Sequence, residues 1–545
     1  MAGRHNASDS RSESSTPRSE TSIERNTSIS TTSQPLQWIN YSAQPPDSHK
    51  AQDADAYACG TFSNEPYFDN RMSAIPDVVQ PDLEQASICF FFRYYSGTIL
   101  DPRANKSLTT TWQPMYLRSS ANSPLRIATS AVAVNVAMMW SFKGCDTRPA
   151  RNLYAKAISA TRKALTTPSR STIDELLMTT LIFDLYECLQ SHYVPGLPHP
   201  LRHKQGALAL LRLKGATNYT TESSRELVLT TRHDILQYAI TRREPLPPGA
   251  EEYFDHPSVM NSTVKQLDKL AIMLVHVQCR LDDLKQQSSS GDDCGERRRR
   301  YTEVVVEAMK INDLMGAWKQ SVTNPEWMAQ YVLREEVLPT IVAAGFYGAR
   351  CAVWADLAYP DMWNLYHKLR LLTLQVIRQA YADEPSLGES PGSASILENT
   401  NSTMQALADA ICETVPFHLG DTVVPTNPIY SKEINFPYKV ITDPETGRTT
   451  SIPSMETVYR SRAAASGGWN IFTYLLVLYR LAEPEDGALP LVLRDGQLDW
   501  IKGQIKRLQT TFLFCDPVWF KRLPPRHLIG GDNTLALDQT KVEPC

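Results

Sequence analysis

Between residues 82 and 190 the chain carries four helix-length stretches in close succession, each with apolar residues recurring at intervals of three and four. They are "DLEQASICFFFRYYSGTIL" (82–100), "SPLRIATSAVAVNVAMMW" (123–140), "PARNLYAKAISATRKAL" (149–165) and "STIDELLMTTLIFDLYECLQ" (171–190), divided by Ser, Pro and Gly breaks. Asp82 follows Pro81 and is a reasonable cap for the first of them. Strand-like alternation is scarce. An amphipathic helix must bury its stripe against another element, so this spacing predicts an all-α fold built as a multi-helix array. A chain of 545 residues is long enough for roughly three or four average domains, and helical arrays often merge such lengths into one larger unit.

The pattern continues downstream. "HKQGALALLRLKG" (203–215) reads as a helix with His203, Ala207, Leu210 and Leu211 on one face and Gly206, Leu210 and Leu213 along the adjacent strip. Gly206 would admit a close neighbouring helix, and Gly215 would end the helix after Lys214. His203, in the first turn, reads as a hydrogen-bonding or capping group rather than a ligand. In "VKQLDKLAIMLVHVQCRLDDLKQ" (264–286), Leu267, Leu270, Leu274, Val277, Leu281 and Leu284 line one narrow stripe. A dimerising coiled coil is one reading; the run is shorter than three to four heptads, which favours a core-facing helix.

"SSSGDDCGERRRR" (288–300) then reads as a loop, followed by a helix with Val304, Ala308, Ile311, Met315 and Trp318 on one face. Helix pairs are expected over 326–384, a flexible break over 385–395, and further helices over 402–420 and 455–514. The Pro-rich segment between these last two suits a short hairpin with "DPETG" (443–447) as its turn. No repeat of fixed period is evident.

Residues 1–75 are rich in Ser, Thr, Arg, Glu and Pro and cannot bury enough apolar surface to order, so they are expected to form a disordered tail. Through residue 50 their charges cancel: Arg4, Arg11, Arg18, Arg25 and Lys50 stand against Asp9, Glu13, Glu20, Glu24 and Asp47. A helical domain is expected over 76–530 and a second tail over 531–545. With a net charge of −4 and a pI near 6.3, the body offers no broad basic surface, which counts against nucleic-acid binding by it. One basic run, "ERRRR" (296–300), suits a nuclear-import signal or a weak phosphate contact, although such a run is more often a solvated loop or helix start.

The ten cysteines are scattered singly, without C-x-x-C spacing. The opening "MAGRHNASDS" has no apolar core of a signal peptide, so a reducing compartment with free buried thiols is expected, and N-x-S/T triplets such as those at Asn26 and Asn261 would go unused. The longest nearly apolar run, 127–140, falls short of the roughly 20 residues that span a bilayer.

Motifs that carry chemistry are missing from the sequence. Neither G-x-G-x-x-G nor G-x-x-x-x-G-K-[ST] occurs, and the doublets Gly467-Gly468 and Gly530-Gly531 read as a helix junction and a tail. His192, His199 and His203 cluster in a Pro-rich turn and helix start, but the histidines show no ligand pairing such as H-E-x-x-H. No G-x-S-x-G elbow or protease-like Cys setting appears. No catalytic, cofactor-binding or metal-ligating residue is therefore nominated, and no cofactor is expected.

Taken together, the helices carry a resemblance. "STIDELLMTTLIFDLYECL" followed by "HKQGALALLRLKG" resembles the signature of the fungal-specific transcription factor domain, the helical regulatory region downstream of binuclear zinc-cluster DNA-binding domains. The matching positions are Tyr186 and Glu187, then His203, Gly206, Ala207, Leu210, Leu211, Lys214 and Gly215. "SPLRIATSAVAVNVAMMW" is similar to the family's early small-residue helix, and "MQALADAICETVPFHLGD" (404–421) to its late "IC-x-S-x-P-x-x-LG" element. In that element Ile411, Cys412, Pro416, Leu419 and Gly420 fit, while Glu413-Thr414 fills the middle. "AAASGGWNIFTYLLVLYRL" is similar to the closing helix, and the resemblance spans roughly 82–525.

The resemblance implies a nuclear regulator of transcription, with cytoplasm as a second location, acting on a pathway such as a secondary-metabolite gene cluster. Its partners would be the transcription machinery or another transcription factor, in a homo- or heterodimer, with no membrane association. The family's zinc cluster needs six cysteines in two C-x-x-C-x6-C halves, and residues 1–88 hold only Cys59. DNA binding by this chain is thus unsupported: it is a shortened member, or an upstream exon carries the reader. The alternatives are an interaction module that heterodimerises with a zinc-cluster factor through the Leu267–Leu284 stripe, and a helical enzyme or small-molecule binder.

Overall fold

The first apolar stretches form helices α1 (Leu83–Tyr95), α2 (Leu108–Arg118), α3 (Pro124–Phe142), α4 (Arg148–Leu165), α5 (Arg170–Ser191), α6 (Leu201–Lys214) and α7 (Glu222–Arg242). The structure, a computed structural model, describes residues 82–95, 108–142, 147–166, 170–191, 201–215, 219–251, 263–287, 294–424, 428–453, 457–484 and 488–511. Both expected tails, together with His192, His199, Gly530 and Gly531, lie outside the described residues. The described residues all belong to one unit, Ala74–Cys545. The fold is all-α.

Helix α3 is the hub of an amino-terminal core. From Ala128 to Val136 it is buried on every side, as a helix apolar around its circumference must be, and it packs against α1, α4 and α5. Small residues on the inward side of α4, Ala150 and Ala157, suit the close approach of α3. Around them Phe91, Trp112, Ile182, Tyr186, Leu211 and Val228 complete the core. Helix α7 begins at Thr221, whose hydroxyl accepts from the Ser224 N–H at 3.1 Å.

A second, carboxy-terminal core follows. It is built from α8 (Thr263–Gln287), α9 (Cys294–Ser321), α10 (Pro339–Gly345), α11 (Ala358–Asp383), α12 (Ser393–Leu419), α13 (Thr457–Arg462), α14 (Gly468–Ala482) and α15 (Gln497–Thr511). Helix α11 is its hub, touching α8, α9, α12 and α14. All six residues of the 267–284 stripe are buried in this core, so the stripe faces inward and offers no dimer seam. The cores meet along α7, which gives Ile235 to the first and Leu236, Ala239 and Ile240 to the second, while Leu246, Ile272 and Trp469 pack against both.

Three expectations need correction. The segment 326–357 is not a helix pair: it holds strands β1 (Gln330–Leu333) and β2 (Arg350–Val353), paired antiparallel with Gln330 opposite Val353, and only the short α10 between them. The loop expected over 288–300 stops short of its end: the "ERRRR" run forms the first turns of α9, the helix start that is one reading of it. The break at 385–395 is a 3-10 turn, Pro385–Glu389, tied by the Ser393 hydroxyl to the Gly388 carbonyl at 2.6 Å, and α12 starts at Ser393, well before residue 402.

The hairpin at "DPETG" is present. Strands β3 (Lys439–Thr442) and β4 (Thr449–Ile452) pair antiparallel, and Asp443 closes the turn by accepting from the Glu445 N–H and the Thr446 hydroxyl. The Gly467-Gly468 doublet is a helix junction: a π-helical turn, Ala463–Gly467, leads into α14. A Cβ on Gly467 would lie 2.2 Å from the His418 carbonyl oxygen, so that turn approaches α12 more closely than any side chain allows.

Candidate functional site

The residues singled out at 203–215 form α6, which Gly215 ends in the left-handed region with its N–H on the Leu211 and Arg212 carbonyls. Ala207, Leu210 and Leu211 are buried as expected. Leu213 is not; it is exposed, and Leu208 takes its place inside. Gly206 does not serve a close approach either, since a Cβ there would meet only Thr180 Cγ2, at 3.7 Å.

His203 is held from two neighbouring helices. Its Nε2 lies 2.9 Å from Glu187 Oε1, and the Tyr154 hydroxyl donates to the same oxygen at 2.7 Å, joining α4, α5 and α6. Tyr154 stacks on Tyr186 and meets Phe183 edge-on; Phe183 in turn lies against the His203 ring. Burial alone would raise the Glu187 carboxyl, but the hydrogen bonds from His203 and Tyr154 hold it below its ordinary value. Burial, and then the Glu187 charge, push the Tyr154 phenol far up, so it stays a donor. The trio is a charged clamp between three helices.

The same helix carries two buried lysines, Lys204, which sequence reasoning passed over, and Lys214, which it named only as a motif position. Lys204 is buried and bridges Asp184 at 2.7 Å and Asp234 at 2.6 Å, tying α6 to α5 and α7. Burial, then the Asp234 charge, push the Asp184 carboxyl up, and Lys204 only partly offsets them. Lys214, at the other end of α6, pairs with Asp174 and donates to the Ser224 hydroxyl at 2.6 Å. Their spacing with Ala207 and Leu211 on the buried stripe was the only signal available in the sequence.

The polar seam continues across α7 into the second core. Arg232 donates to Asp268 through Nε at 3.0 Å and Nη2 at 2.7 Å, and Asp268 also faces His233. Lys368 on α11 donates to Gln237 at 2.7 Å. Burial, then the nearby Arg480 charge, lower that amine to about 8, against the pull of Asp361.

The late element that fits "IC…P…LG" is likewise structural. Ile411, Cys412 and Leu419 are fully buried, Thr414 accepts from Asn364 at 3.1 Å, and Glu413 pairs with Arg350 at 2.9 Å. Where α12 ends, Arg507 donates to the carbonyls of Gly420 at 2.8 Å and Thr422 at 2.7 Å, a cation at the negative end of a helix. Burial pushes the thiols of Cys351 and Cys412 up to about 12, which keeps them protonated and unreactive. Among the described residues no group of three or more His, Cys, Asp or Glu side chains could hold a metal ion, and no helix is long and apolar enough to cross a membrane.

No family model matches the chain, and neither do curated proteins or solved structures.

Proposed function

We propose that the chain is a fungal transcription regulator, acting in the nucleus through its helical body and controlling a specific pathway such as a secondary-metabolite gene cluster. One observation carries the reading beyond the resemblance itself. Tyr186, Glu187, His203, Ala207, Leu210 and Leu211, which bear the likeness, are the residues that lock α5 against α6, and Ile411, Cys412 and Leu419 are interior to the second core. Motif positions that serve interhelical packing suit a scaffold presenting surfaces to other proteins better than a site with its own chemistry. The zinc-binding cysteines of the family lie nowhere in residues 1–88, so such a regulator reaches DNA through a partner or through sequence beyond this chain. A heterodimer, if formed, uses a surface other than the 267–284 stripe, which is buried.

Deleting the gene and profiling transcripts under metabolite-producing conditions tests the proposal. A coordinated change across one set of pathway genes is expected. An unchanged profile would overturn it.

A further inference from the structure

Helices α8 and α9 bury their inward faces completely in the second core, yet α9 keeps large apolar residues on its outward side. Val306 is 60% exposed, and Met309 and Leu314 are also open to solvent. Beside them the two helices enclose a shallow groove of about 700 Å³. Met273 of α8 and Val306 of α9 supply its apolar lining, and Arg280, Arg298, Arg299 and Lys310 stand around it.

The charges are unevenly matched. Glu307 is held by Arg280 at 2.6 Å, and Glu303 by Arg299, which also pairs with Glu296. Arg298 donates to the Ser390 hydroxyl at 3.1 Å and, like Lys310, has no carboxylate partner among the described residues. The groove thus carries two cations in excess, on a chain whose net charge is −4. An anionic occupant is favoured. A nucleic-acid backbone fits poorly, because its phosphates would meet Glu303 and Glu307 and leave the apolar lining unused. A helix with an apolar stripe and acidic ends satisfies both features. Arg298 and Lys310 are twelve positions apart on one helix, about 18 Å along its axis, which sets the occupant at about three turns. The methionine in the lining adapts to varied apolar side chains.

We propose that the groove between α8 and α9 docks an acidic amphipathic helix of a partner protein, about three turns long. The argument rests on the groove alone and holds whether or not the chain regulates transcription.

The test is fluorescence anisotropy of the full chain with a labelled helical peptide carrying leucines on one face and glutamates at both ends. Saturable binding is expected, weakening as salt rises. Val306→Glu should weaken it about tenfold or more, as for a central apolar contact, and Lys310→Glu about threefold, as for a rim charge. The same peptide with lysines in place of glutamates should bind at least about tenfold less tightly. Both substituted residues are exposed, so circular dichroism should show an unchanged fold. Equal binding of the acidic and basic peptides overturns the proposal. So does a Val306→Glu chain that binds like the parent, a concentration-dependent dimer that Val306→Glu abolishes, or duplex DNA that displaces the peptide.

Discussion

In the amino-terminal core the buried lysines Lys204 and Lys214 answer carboxylates on other helices, whereas in the carboxy-terminal core the buried arginines Arg378 and Arg507 answer backbone carbonyls. The first core is made of regular helices, whose interior carbonyls are already taken by their own N–H groups, so a buried cation there finds only side chains. The second core packs helices against irregular stretches with free carbonyls. Arg378 reaches Pro490, Arg507 reaches Gly420 and Thr422, and the indoles of Trp354 and Trp363 both donate to Trp327. Buried polarity thus follows backbone regularity. The division has exceptions, since Arg462 pairs with the buried Asp356 of the second core at 3.1 Å.

The largest test of that contrast is Lys204→Met. It strands Asp184 and Asp234 without their cation and should cost about 3–5 kcal/mol in urea unfolding at pH 7. Asp184 is held above its ordinary value by burial and by Asp234, so the folded form takes up a proton before the unfolded chain does. The loss should therefore shrink as pH falls toward 5; a loss that is the same at both pH values breaks the comparison.

Arg507→Met should cost less, about 2–3 kcal/mol, through carbonyls left without donors. Because Asp421, whose charge acts on Arg507, keeps its hydrogen bonds from Asn435, the cost should be nearly flat between pH 5 and 8. A pH-dependent cost would place both cores in the same class.

His418 sharpens the picture from the other side. It is fully buried with neither ring nitrogen hydrogen-bonded, and burial lowers it from 6.5 to about 3. Below pH 6.5 the unfolded chain gains a proton that the folded chain refuses, so stability is lost as pH falls toward 3. At pH 5 this amounts to about 2 kcal/mol. His418→Leu should remove that slope from chemical denaturation curves, and an unaltered slope would assign it elsewhere. The smallest effect is expected at Gly206→Ala. Its Cβ meets only Thr180 Cγ2 at 3.7 Å, so the helix should gain about 0.5–1 kcal/mol, read as a raised Tm. A destabilised variant would mean that α5 and α6 lie closer than described.

Much of the fold was legible because long helices repeat their signal. The stretches at 123–140, 149–165, 171–190 and 264–286 match their helices to within two residues, and the limited length of the 267–284 stripe favours the core-facing reading over the dimer seam, as its burial shows. The turn at Asp443 announced itself through Asp, Pro and Gly within five residues. Strands of four residues are too short for alternation to stand out, so β1 and β2 were hidden in an apolar, aromatic-rich stretch that reads as helix. The start of α12 was hidden by composition. Its inward stripe runs Ile396, Thr400, Met404, Leu407 and Ile411, with a threonine where an apolar residue would have carried the period.

The candidate site was legible only in outline. His203 was placed in a first turn as a hydrogen-bonding group, and it is one. Lys204 drew no reading of its own, and Lys214 entered only as a motif position before Gly215. Only the convergence of Asp174, Asp184 and Asp234 from other helices makes their burial affordable, and no local pattern records that convergence.

The amine of Lys368 sits where the two cores meet, with Gln237 of α7 as its hydrogen-bond partner. The burial that lowers this amine to about 8 also walls it off from reagents. Its acylation therefore requires an opening of the boundary between α7 and α11. The rate at which an amine-directed label appears at this one position, followed by peptide mass spectrometry, reports how often the structure around it opens.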